Sequence, residues 1–398
     1  MNLRSELPFW LLKNGLTHTF PSLQENLSCD ALVVGGGISG ALLVHELSAR
    51  GIDCVLVDRR HIAFGSTSAS TGLLQYEIDK PLVELIPLVG KGNAERAYLM
   101  GVEAIRYLER VCGKDCGFTR HPSLMIAKDT SHVARLRSEY EARSKAGLDV
   151  EWLERPELQK DYGIPRPAAI RSAIGAEVDP YRLTHRLLKK ASERGARVFD
   201  RTELIRYSQE KRSVVAYTEN KFRIRAKRIF FATGYEITEW IPKDIVKISS
   251  TYAFVSEPIE DFEWWNQKAL LWESGKDYLY ARTTSDGRVL IGGEDDELQN
   301  GDRRDARVES KTLELARAFQ RLMPHSPLLT VAFAWAGAFG HTKDGLAYIG
   351  PHESFPRGYF SLGFGGNGIT FSAMAAEILA DLHQGKTNSD AAIYTFSR

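Results

Sequence analysis

The sequence predicts a mixed α/β fold (α+β overall) in which βα units are interleaved with strand-rich segments. Units of strand and helix recur near the start, in the middle and at the end of the chain, from about residues 30, 177 and 358. Between residues 250 and 295, alternating apolar and polar side chains instead predict antiparallel strands. Tandem domains would not produce this order, so we expect two domains, each assembled from non-adjacent segments.

The composition is that of a globular protein, with 43% hydrophobic and 26% charged residues among 398. The 52 basic and 51 acidic residues leave a formal net charge of +1, so charge gives no reason to expect nucleic acid or an anionic membrane as a partner. No stretch approaches the roughly 18 apolar residues of a membrane span. The first 20 residues include charged and polar side chains throughout, so we expect no signal peptide and a cytoplasmic protein.

The cysteines do not predict a disulfide framework or a metal site. There are four, Cys29, Cys54, Cys112 and Cys116, which is too few for a disulfide scaffold. The last two have a Cys-x3-Cys spacing, but no second Cys or His pair completes a tetrahedral set of ligands. We therefore expect reduced thiols and no bound metal.

The first βαβ unit begins at Asp30. The apolar run 31–34 predicts a strand that is buried on both faces, and "CVLV" at 54–57 predicts its parallel neighbour. Apolar residues between 41 and 47 recur at helical spacing, and Gly51 follows as a helix terminator.

Later elements follow from the same patterns. Helices are predicted over 84–112, 132–145 and 310–322, and an amphipathic helix follows Pro180. Strands are predicted at 123–128, 223–231, 250–258, 277–284 and 287–295. The last two are joined at Ser285-Asp286-Gly287, which predicts a hairpin. From Gly358 the chain closes with a strand, a glycine loop and a helix.

A glycine triplet follows the first strand and opens the first helix. Gly35 permits the tight turn, Gly37 lets the backbone approach a pyrophosphate at the helix N-terminus, and Gly40 allows close helix–strand packing. Asp58 ends the second strand about 20 residues further on, where a carboxylate can accept hydrogen bonds from ribose hydroxyls. This context predicts a dinucleotide site, which FAD and NAD would both satisfy.

Three further loops favour FAD. "GSTSASTGLLQ" at 65–75 combines hydroxyls and glycines that can wrap phosphates and a ribityl chain. "FFATGYE" supplies another strand end, with Ala232, Thr233 and Gly234 beside the cofactor. "GFGGNGIT" before the last helix offers a glycine loop and a helix N-terminus to the edge of a flavin ring.

The motifs "VVGGGISG", "FGSTSASTG", "EVDPYRL", "FFATG", "WAGAFGHTKDGLAYIG" and "GFGGNGIT" together resemble the FAD-dependent D-amino-acid-oxidase-like superfamily, which includes glycine, sarcosine and gamma-glutamylputrescine oxidases. The resemblance covers nearly the whole chain. It implies a glutathione-reductase-like FAD-binding Rossmann domain and a substrate domain built on an antiparallel sheet. On that basis 1–85, 176–245 and 331–398 are expected in the FAD domain, and 86–175 and 246–330 in the substrate domain.

The resemblance also implies which residues surround the cofactor. Those expected to hold the ADP half are Gly35, Gly37, Gly40, Asp58 and Arg59, with the backbone of Leu204 at the adenine. Those expected along the pyrophosphate and flavin are Ser66, Thr67, Ser68, Ser70 and Leu73, and those expected to border the isoalloxazine are Gly365, Gly366, Asn367, Gly368 and Ile369. Further residues expected to bind the cofactor are Ile38, Ser39, Arg60, Gly72, Ala232, Thr233, Gly234, Gly337 and Thr370. Covalent relatives carry a cysteine in the segment that matches 335–350; none is present here, so we expect noncovalent FAD.

The reaction that the resemblance implies is oxidation of a C–N bond, with the flavin taking a hydride. Candidates for the substrate side are Tyr252, Tyr278, Tyr280, Arg282, Glu294, Phe339, His341 and Lys343. We assign no catalytic base among them. Each tyrosine could equally be a half-buried strand residue, His341 a structural histidine, and Arg282 a member of a surface ion pair. Lys343 and Asp344 are expected to shape a turn beside the flavin.

Phe339 departs from the family pattern. At the matching position, relatives of the glycine-oxidase type carry an arginine that clamps the substrate carboxylate. A phenyl ring packs instead against an alkyl chain or an ammonium group. Either Arg282 replaces the clamp, or the substrate is an amine or an N-substituted amino acid, and we favour the second reading.

The sequence is also compatible with other functions. The alternatives are an alpha-amino-acid (glycine or D-amino acid) oxidase or dehydrogenase, an enzyme acting on a tRNA or phosphorylated substrate, and a flavin-binding accessory subunit without turnover. The lysine that assists reaction with oxygen in sarcosine-oxidase relatives aligns near Leu290, so oxygen and another electron acceptor both remain open. The oligomeric state is not predicted.

Overall fold

The computed structural model describes residues 2–241, 245–275, 278–297 and 300–398. Asp277, the first residue of one predicted strand, lies outside the described residues. The described chain forms two large β-sheets with helices around them, which confirms the mixed α/β class.

The strands, in chain order, are β1 (Leu27–Val34), β2 (Cys54–Val57), β3 (Leu73–Gln75), β4 (Thr119–Ala127), β5 (Val150–Glu154), β6 (Ala168–Glu177), β7 (Arg197–Phe199), β8 (Leu204–Gln209), β9 (Val214–Thr218), β10 (Arg223–Phe231), β11 (Lys247–Ser256), β12 (Leu270–Ser274), β13 (Leu279–Thr283), β14 (Val289–Asp296), β15 (Val331–His341), β16 (Tyr348–Pro351) and β17 (Gly358–Leu362). The helices are α1 (Phe9–Asn14), α2 (Ile38–Ala49), α3 (Ser66–Ala69), α4 (Leu82–Val89), α5 (Lys91–Cys112), α6 (Val133–Lys145), α7 (Arg155–Tyr162), α8 (Pro180–Glu193), α9 (Gly301–Asp305), α10 (Val308–Leu322) and α11 (Gly368–His383).

The first sheet contains the nucleotide-type units. Its strand order is β16-β17-β10-β1-β2-β7, with β9 paired to β10 and β8 paired to β9. β1 lies parallel to both β2 and β10, so the predicted βαβ unit is confirmed. Parallel strands buried on both faces explain the continuous apolar run in β1. The carboxyl ends of these three strands therefore meet at one edge of the sheet.

The second sheet is mainly antiparallel and follows the order β15-β11-β14-β13-β12-β4-β6-β3, with β5 beside β6. β13 and β14 form the predicted hairpin, with Gly287 at φ 75° in its turn. One face of this sheet packs on α10 through residues such as Phe254 and Phe319. The opposite face is directed toward the first sheet.

The helix predicted over 84–112 and the start of the strand predicted at 123–128 differ most from the structure, in which β4 already begins at Thr119. The helix predicted over 84–112 is divided into α4 and α5 by Gly90, whose φ of 83° lies in the left-handed region that favours glycine. Pro87 lies in the last turn of α4 and weakens it further. The helices predicted over 132–145 and 310–322, which are α6 and α10, match to within two residues.

Sheet membership also differs from the segment boundaries drawn on the sequence. β15 belongs to the second sheet, although 331–398 was assigned to the FAD domain. β3 likewise pairs with β6 of the second sheet, although it lies within 1–85. The reason is physical: an 11-residue strand that pairs with β11 from Lys247 onward cannot leave that sheet before His341. The division into two domains itself stays a prediction.

Within the described residues, no helix combines the length and the apolar character that crossing a bilayer requires. The same part of the chain contains no group of three or more His, Cys, Asp or Glu residues arranged to hold a metal ion. All four cysteines are buried and unpaired by disulfides.

Candidate active site

One large cavity lies between the two sheets. Its volume is about 950 Å³, and its wall includes the carboxyl ends of β1, β2 and β10 together with the inner face of the second sheet. The crevice beyond the carboxyl ends of parallel strands is the usual ligand site of open α/β sheets.

The glycine turn after β1 leaves no space for side chains. A Cβ on Gly35, whose φ is 108°, would lie 2.4 Å from the Ala232 carbonyl oxygen. A Cβ on Gly40 would lie 1.9 Å from the Gly35 carbonyl oxygen, so helix and strand are in backbone contact there. Gly37 precedes the first residue of α2 and opens the helix N-terminus toward the cavity.

Asp58 holds this turn from the end of β2. Its Oδ2 accepts a hydrogen bond from the Gly36 amide at 2.6 Å, and its Oδ1 accepts one from the Arg60 amide at 2.7 Å. Burial raises the pKa of the Asp58 carboxyl to about 6, while these two amides act in the opposite direction. A carboxylate on the cavity wall at this point is the group expected to meet ribose hydroxyls.

Glu236 is a charged residue of this end of the cavity that the sequence reasoning missed. It binds Arg59 and Arg60 together, with Arg60 Nη2 at 2.6 Å from Glu236 Oε1. Both arginines line the cavity near Leu204. The sequence offered one indication of this role: Glu236 follows the "FFATG" motif after a single tyrosine.

Three buried side chains hold the loop that follows α3. Trp335 Nε1 donates to the Ala69 carbonyl oxygen at 2.8 Å, and Trp10 Nε1 donates to the Ser70 carbonyl oxygen at 2.7 Å. Arg282 Nε donates to the Thr71 carbonyl oxygen at 2.7 Å. Three successive carbonyl groups are therefore fixed from β15, α1 and β13. We call residues 69–71 the clamped loop.

Arg282 has a structural place that excludes it from the cavity. It is only 1% exposed, forms an ion pair with Glu177 Oε2 at 3.1 Å, and donates to the Val178 carbonyl oxygen. The expectation that it belongs to a surface ion pair is wrong in location, because the pair is buried. Arg282 also does not replace the missing carboxylate clamp, since it does not line the cavity.

The residues present fit FAD. The Ser66 and Thr233 hydroxyl oxygens are buried on the cavity wall and have no hydrogen-bonding partner among the described residues. Buried hydroxyls without partners are costly, so polar groups of a ligand are the natural acceptors and donors for them. The close-fitting glycines of the turn and the helix N-terminus of α2 supply the phosphate part of the same site.

Most residues predicted around the cofactor line this cavity. Those that do are Gly35, Gly37, Ile38, Ser39, Asp58, Arg59, Arg60, Ser66, Thr67, Ser70, Leu73, Leu204, Ala232, Thr233, Gly234, Gly337, Gly365, Gly366, Asn367, Gly368 and Ile369.

Four predicted cofactor residues lie behind the wall instead. Gly40 and Gly72 permit close backbone packing, since a Cβ on Gly72 would meet the Val178 carbonyl oxygen at 2.3 Å. The Ser68 hydroxyl donates to the Gly65 carbonyl oxygen, and the Thr370 hydroxyl donates to the Asn367 carbonyl oxygen at the start of α11. These four residues therefore support the wall from behind and do not line the cavity.

The second sheet supplies an aromatic wall to the cavity, formed by Tyr278, Tyr280, Phe339 and His341. The Phe339 and His341 rings meet edge to face at 4.4 Å. The Tyr278 hydroxyl donates to Asp295 Oδ2 at 3.0 Å, which fixes the phenol. Burial raises the pKa of Tyr280 to about 12, so this phenol stays protonated at neutral pH.

Other substrate-side candidates are excluded by geometry. Tyr252 points to the α10 side of the sheet, and its neighbour Thr251 lines the cavity instead. Glu294 pairs with Lys311 at 3.1 Å, away from the cavity. The Lys343 ammonium donates to the Arg398 carbonyl oxygen. Leu290, which aligns with the oxygen-assisting lysine and was not a substrate-side candidate, is fully buried in the core.

Asp79 is the substrate-side residue that the sequence reasoning missed. It lines the cavity, and its Oδ2 accepts a hydrogen bond from the Gly366 amide at 2.8 Å. Lys80 and Trp272 line the same region. The available signal was an acidic residue shortly after the hydroxyl-rich run and β3.

The sequence matches the family described as DAO, FAD dependent oxidoreductase, over residues 30–382. One similar protein is YhfW of Bacillus subtilis (strain 168), which is provisionally named a Rieske 2Fe-2S iron-sulfur protein. It is 24% identical over 98% of this chain and 75% of its own length. Gamma-glutamylputrescine oxidoreductase of Escherichia coli (strain K12) is 24% identical over 92% of this chain and 86% of its own length.

A solved structure shares the fold. Glycine oxidase from Geobacillus kaustophilus superposes with a TM-score of 0.75 at 21% identity, over 94% of this chain and 99% of the oxidase. The family match covers well over half of the chain, in agreement with a cavity that fits FAD. The chain therefore belongs to the FAD-dependent oxidoreductase (DAO) family, and it is an oxidoreductase with FAD as its cofactor.

Proposed function

We propose that the enzyme oxidises the C–N bond of a small amine or an N-substituted amino acid. The observation that carries this proposal is the aromatic wall, on which Phe339 stands where a carboxylate clamp would require an arginine. Among the described residues, the arginines that line the cavity are Arg59, Arg60 and Arg135. The first two bind Glu236 at the ADP end, and Arg135 binds Glu84. A substrate carboxylate therefore has no bidentate partner on the sheet wall.

The same wall suits a cationic nitrogen beside an alkyl group. The faces of tyrosine and phenylalanine rings attract ammonium groups, and the attraction grows as water is removed. The carboxylates of Asp79 and Asp295 add negative charge close to His341. That a relative is named gamma-glutamylputrescine oxidoreductase supports a substrate of the amine class.

FAD, when bound, accepts the hydride from the carbon next to nitrogen. The protein's own residues bind and orient the reactants. Asp58 and the glycine turn after β1 would hold the ADP half, while Ser66 and Thr233 offer free hydroxyls to the remainder. Tyr280 and Phe339 pack against the substrate and exclude water, and the Tyr278–Asp295 hydrogen bond keeps the wall rigid.

A second candidate is oxidation of a simple alpha-amino acid. It is favoured by Lys80, which lines the cavity beside Asp79 and can act as a point charge for a carboxylate. The electron acceptor stays open between oxygen and another oxidant. An accessory role without turnover conflicts with membership of an oxidoreductase family. A tRNA substrate is disfavoured by the net charge of +1.

The test is anaerobic reduction of the flavin. The holoenzyme is mixed with matched substrate pairs, such as n-butylamine with norvaline and N-methylglycine with glycine, and bleaching of the flavin absorbance is followed. We expect the amine or the N-substituted compound to bleach faster in each pair. Faster bleaching by the simple alpha-amino acids would contradict the proposal, and no bleaching by any compound in a wider panel of amines and amino acids would overturn it.

A further inference from the structure

Asp79 lies on the cavity wall between the segment after β3, which carries it, and the loop before α11. Its carboxylate lies directly against the loop before α11, where a Cβ on Gly365 would lie 2.2 Å from Asp79 Oδ2 and one on Gly366 would lie 2.7 Å from Asp79 Oδ1. Only glycines at both positions allow a carboxylate this close, and the Gly366 amide then hydrogen-bonds to it. Asn367 Nδ2 donates to the Gln75 and Glu77 carbonyl oxygens and fixes the segment that carries Asp79.

The carboxylate is nevertheless open to the cavity. Asp79 is an exposed residue that lines the cavity wall, whereas Asp295 does not line it and is held by the Tyr278 hydroxyl. Glu139 and Glu273 also line the cavity, but each is held in an ion pair, with Arg143 and Arg166 respectively. Glu77 also borders the cavity, but its carboxylate is paired with the buried Arg143 guanidinium at 3.6 Å. The exposed Asp79 is therefore the carboxylate best placed to touch a bound molecule.

Charged and titratable groups surround Asp79 from several elements. Lys80 lies on the same segment, His341 on β15 and Asp295 on β14, while the pKa values of Tyr235, Tyr278 and Tyr280 are raised in part by its charge. Enclosure within the protein raises the pKa of the Asp79 carboxyl; the Gly366 amide, His341 and Lys80 oppose this shift and Asp295 adds to it. A carboxylate of raised pKa is a better proton acceptor at neutral pH.

Amine oxidation needs such a group. An alkyl ammonium ion with a pKa of about 10.4, like that of lysine, is almost entirely protonated at pH 7. Its nitrogen must release a proton before the adjacent carbon can lose a hydride, because the nitrogen lone pair has to form the new C=N bond.

We propose that Asp79 binds the ammonium group of the substrate and accepts its proton. This inference rests on the proposed amine oxidation. One N–H bond of the ammonium breaks, an O–H bond forms on Asp79, and the electron pair stays on nitrogen. The nitrogen lone pair is then free to form the C=N bond. FAD, when held by the residues described above, would supply the acceptor for the hydride of the adjacent C–H bond, which would leave the substrate as an iminium ion. Asp79 releases its proton to solvent after each turnover.

The test compares Asp79→Asn with the wild type over pH 6 to 9. The probe is the amine that bleaches the flavin fastest in the panel above, and the measured quantity is the second-order rate constant of anaerobic reduction. In the wild type we expect an acidic limb followed by a plateau. In Asp79→Asn we expect a loss of about 10²-fold at pH 7, in the range of general base catalysis. We also expect a rise of about tenfold per pH unit, because only neutral amine from solution then reacts.

Three controls separate this role from a structural one. Asp79→Glu should keep the plateau, and Asp115→Asn, an exposed carboxylate paired with Arg186, should match the wild type. Bound FAD is measured by its absorbance and by release after denaturation. If Asp79→Asn does not retain FAD, the comparison is made between Asp79→Glu and the wild type, whose acidic limbs should be displaced from each other.

Two outcomes would overturn the inference. One is an Asp79→Asn or Asp79→Glu profile that superposes on the wild type in rate and shape. The other is loss of the acidic limb in His341→Asn with its retention in Asp79→Asn, which would assign the proton to His341. Failure of the proposed amine oxidation gives a different result. In that case no amine reduces the flavin of the wild-type enzyme.

Discussion

Phe339 carries more information about the substrate than any other residue of the wall. It is 8% exposed, on the same face of β15 as Gly337 and His341, and its ring meets His341. Exchanging this one side chain for a charged one changes the charge of the wall. The class of substrate is therefore determined by a single residue of the wall.

We expect Phe339→Arg to improve turnover of alpha-amino acids. A guanidinium at this position can bind a carboxylate with charge-assisted hydrogen bonds of about 1.5–3 kcal/mol, which corresponds to a gain of about tenfold to a hundredfold in kcat/KM. Amine turnover should fall, because a cation then faces the ammonium group. Steady-state kinetics with glycine and n-butylamine measure both effects.

Phe333→Arg is the matched control, since Phe333 lies on the same strand but is 38% exposed and outside the cavity wall. It should leave both substrates unaffected. Unchanged kinetics in Phe339→Arg would contradict the place of Phe339 beside the substrate.

Strand alternation explains why the sequence predicted some of these residues and not others. Tyr278 and Tyr280 line the cavity, as predicted. The prediction that Tyr252 lies on the substrate side is wrong, because β11 directs its neighbour Thr251 into the cavity. A period of two residues shows that one of two neighbours faces inward but does not say which. Asp79 could not be predicted, since its role depends on Gly366, which is 287 positions away in the chain.

At the scale of elements, the contact of α2 with β1 depends on Gly40. We expect Gly40→Ala to abolish FAD binding, because a Cβ 1.9 Å from the Gly35 carbonyl oxygen forces the helix away from the strand. The free energy of unfolding should fall by about 1–3 kcal/mol, as in other overpacked sites. Urea unfolding and the flavin content of the purified protein measure the two effects.

Gly92→Ala provides the comparison, because Gly92 lies in α5 and its φ is not positive. Apart from its chain neighbours and the backbone of its own helix, no heavy atom comes within 4 Å of the position that a Cβ would take. It should retain FAD and gain up to about 1 kcal/mol from helix propensity. Retention of FAD by Gly40→Ala would show that the turn tolerates displacement of the helix.

The clamped loop is a second element-scale feature, held by Trp10, Trp335 and Arg282. We expect Trp335→Phe to lower FAD affinity about fivefold, because the lost hydrogen bond to the Ala69 carbonyl oxygen contributes about 1 kcal/mol. The dissociation constant of FAD, measured by titration of the apoprotein, checks this expectation.

Trp265→Phe is its matched control. Trp265 is also 2% exposed and also donates to a backbone carbonyl, that of Ala269 at 2.9 Å, but it lies in the core beside α10. It should lower stability to a similar extent and leave FAD affinity unchanged. Equal effects of both substitutions on FAD affinity would contradict a specific role of the clamped loop.

Element types were largely predictable, and element limits were not. The glycine turn, β1, α2 and β2 follow directly from composition and spacing, because each local preference agrees with its place in the fold. The division at Gly90 was missed because apolar spacing continues across it, and only the positive φ reveals the break.

On the scale of the whole molecule, the cavity is shared by both sheets. β3 and β15 belong to the second sheet, while Gly366 and Asn367 precede α11 beside the first, and their contacts join the two halves around the cofactor site. The interleaving was predictable from the order of βα units and strand-rich segments. Which sheet β15 joins was not, because its partners lie far away in the sequence.

We expect removal of FAD to destabilise the whole chain. A ligand at 100 times its dissociation constant stabilises the folded state by about 2.7 kcal/mol, so the apoprotein should melt several degrees below the holoenzyme. ADP should restore part of the difference, because its site is built on the first sheet. Differential scanning calorimetry of the apoprotein, with and without FAD or ADP, measures this. Identical melting curves for the apoprotein and the holoenzyme would contradict the expected stabilisation by bound FAD.

The two indoles that hold the clamped loop also make this region accessible to fluorescence measurements. Trp335 and Trp10 are fluorophores whose N–H groups bind the backbone beside the cofactor cavity. Flavin absorbs in the range where indoles emit, so energy transfer from these two side chains should report FAD binding without any added label. The difference between wild-type and Trp335→Phe emission isolates the signal of one fluorophore, which turns an anchoring contact into an internal optical probe of cofactor loading.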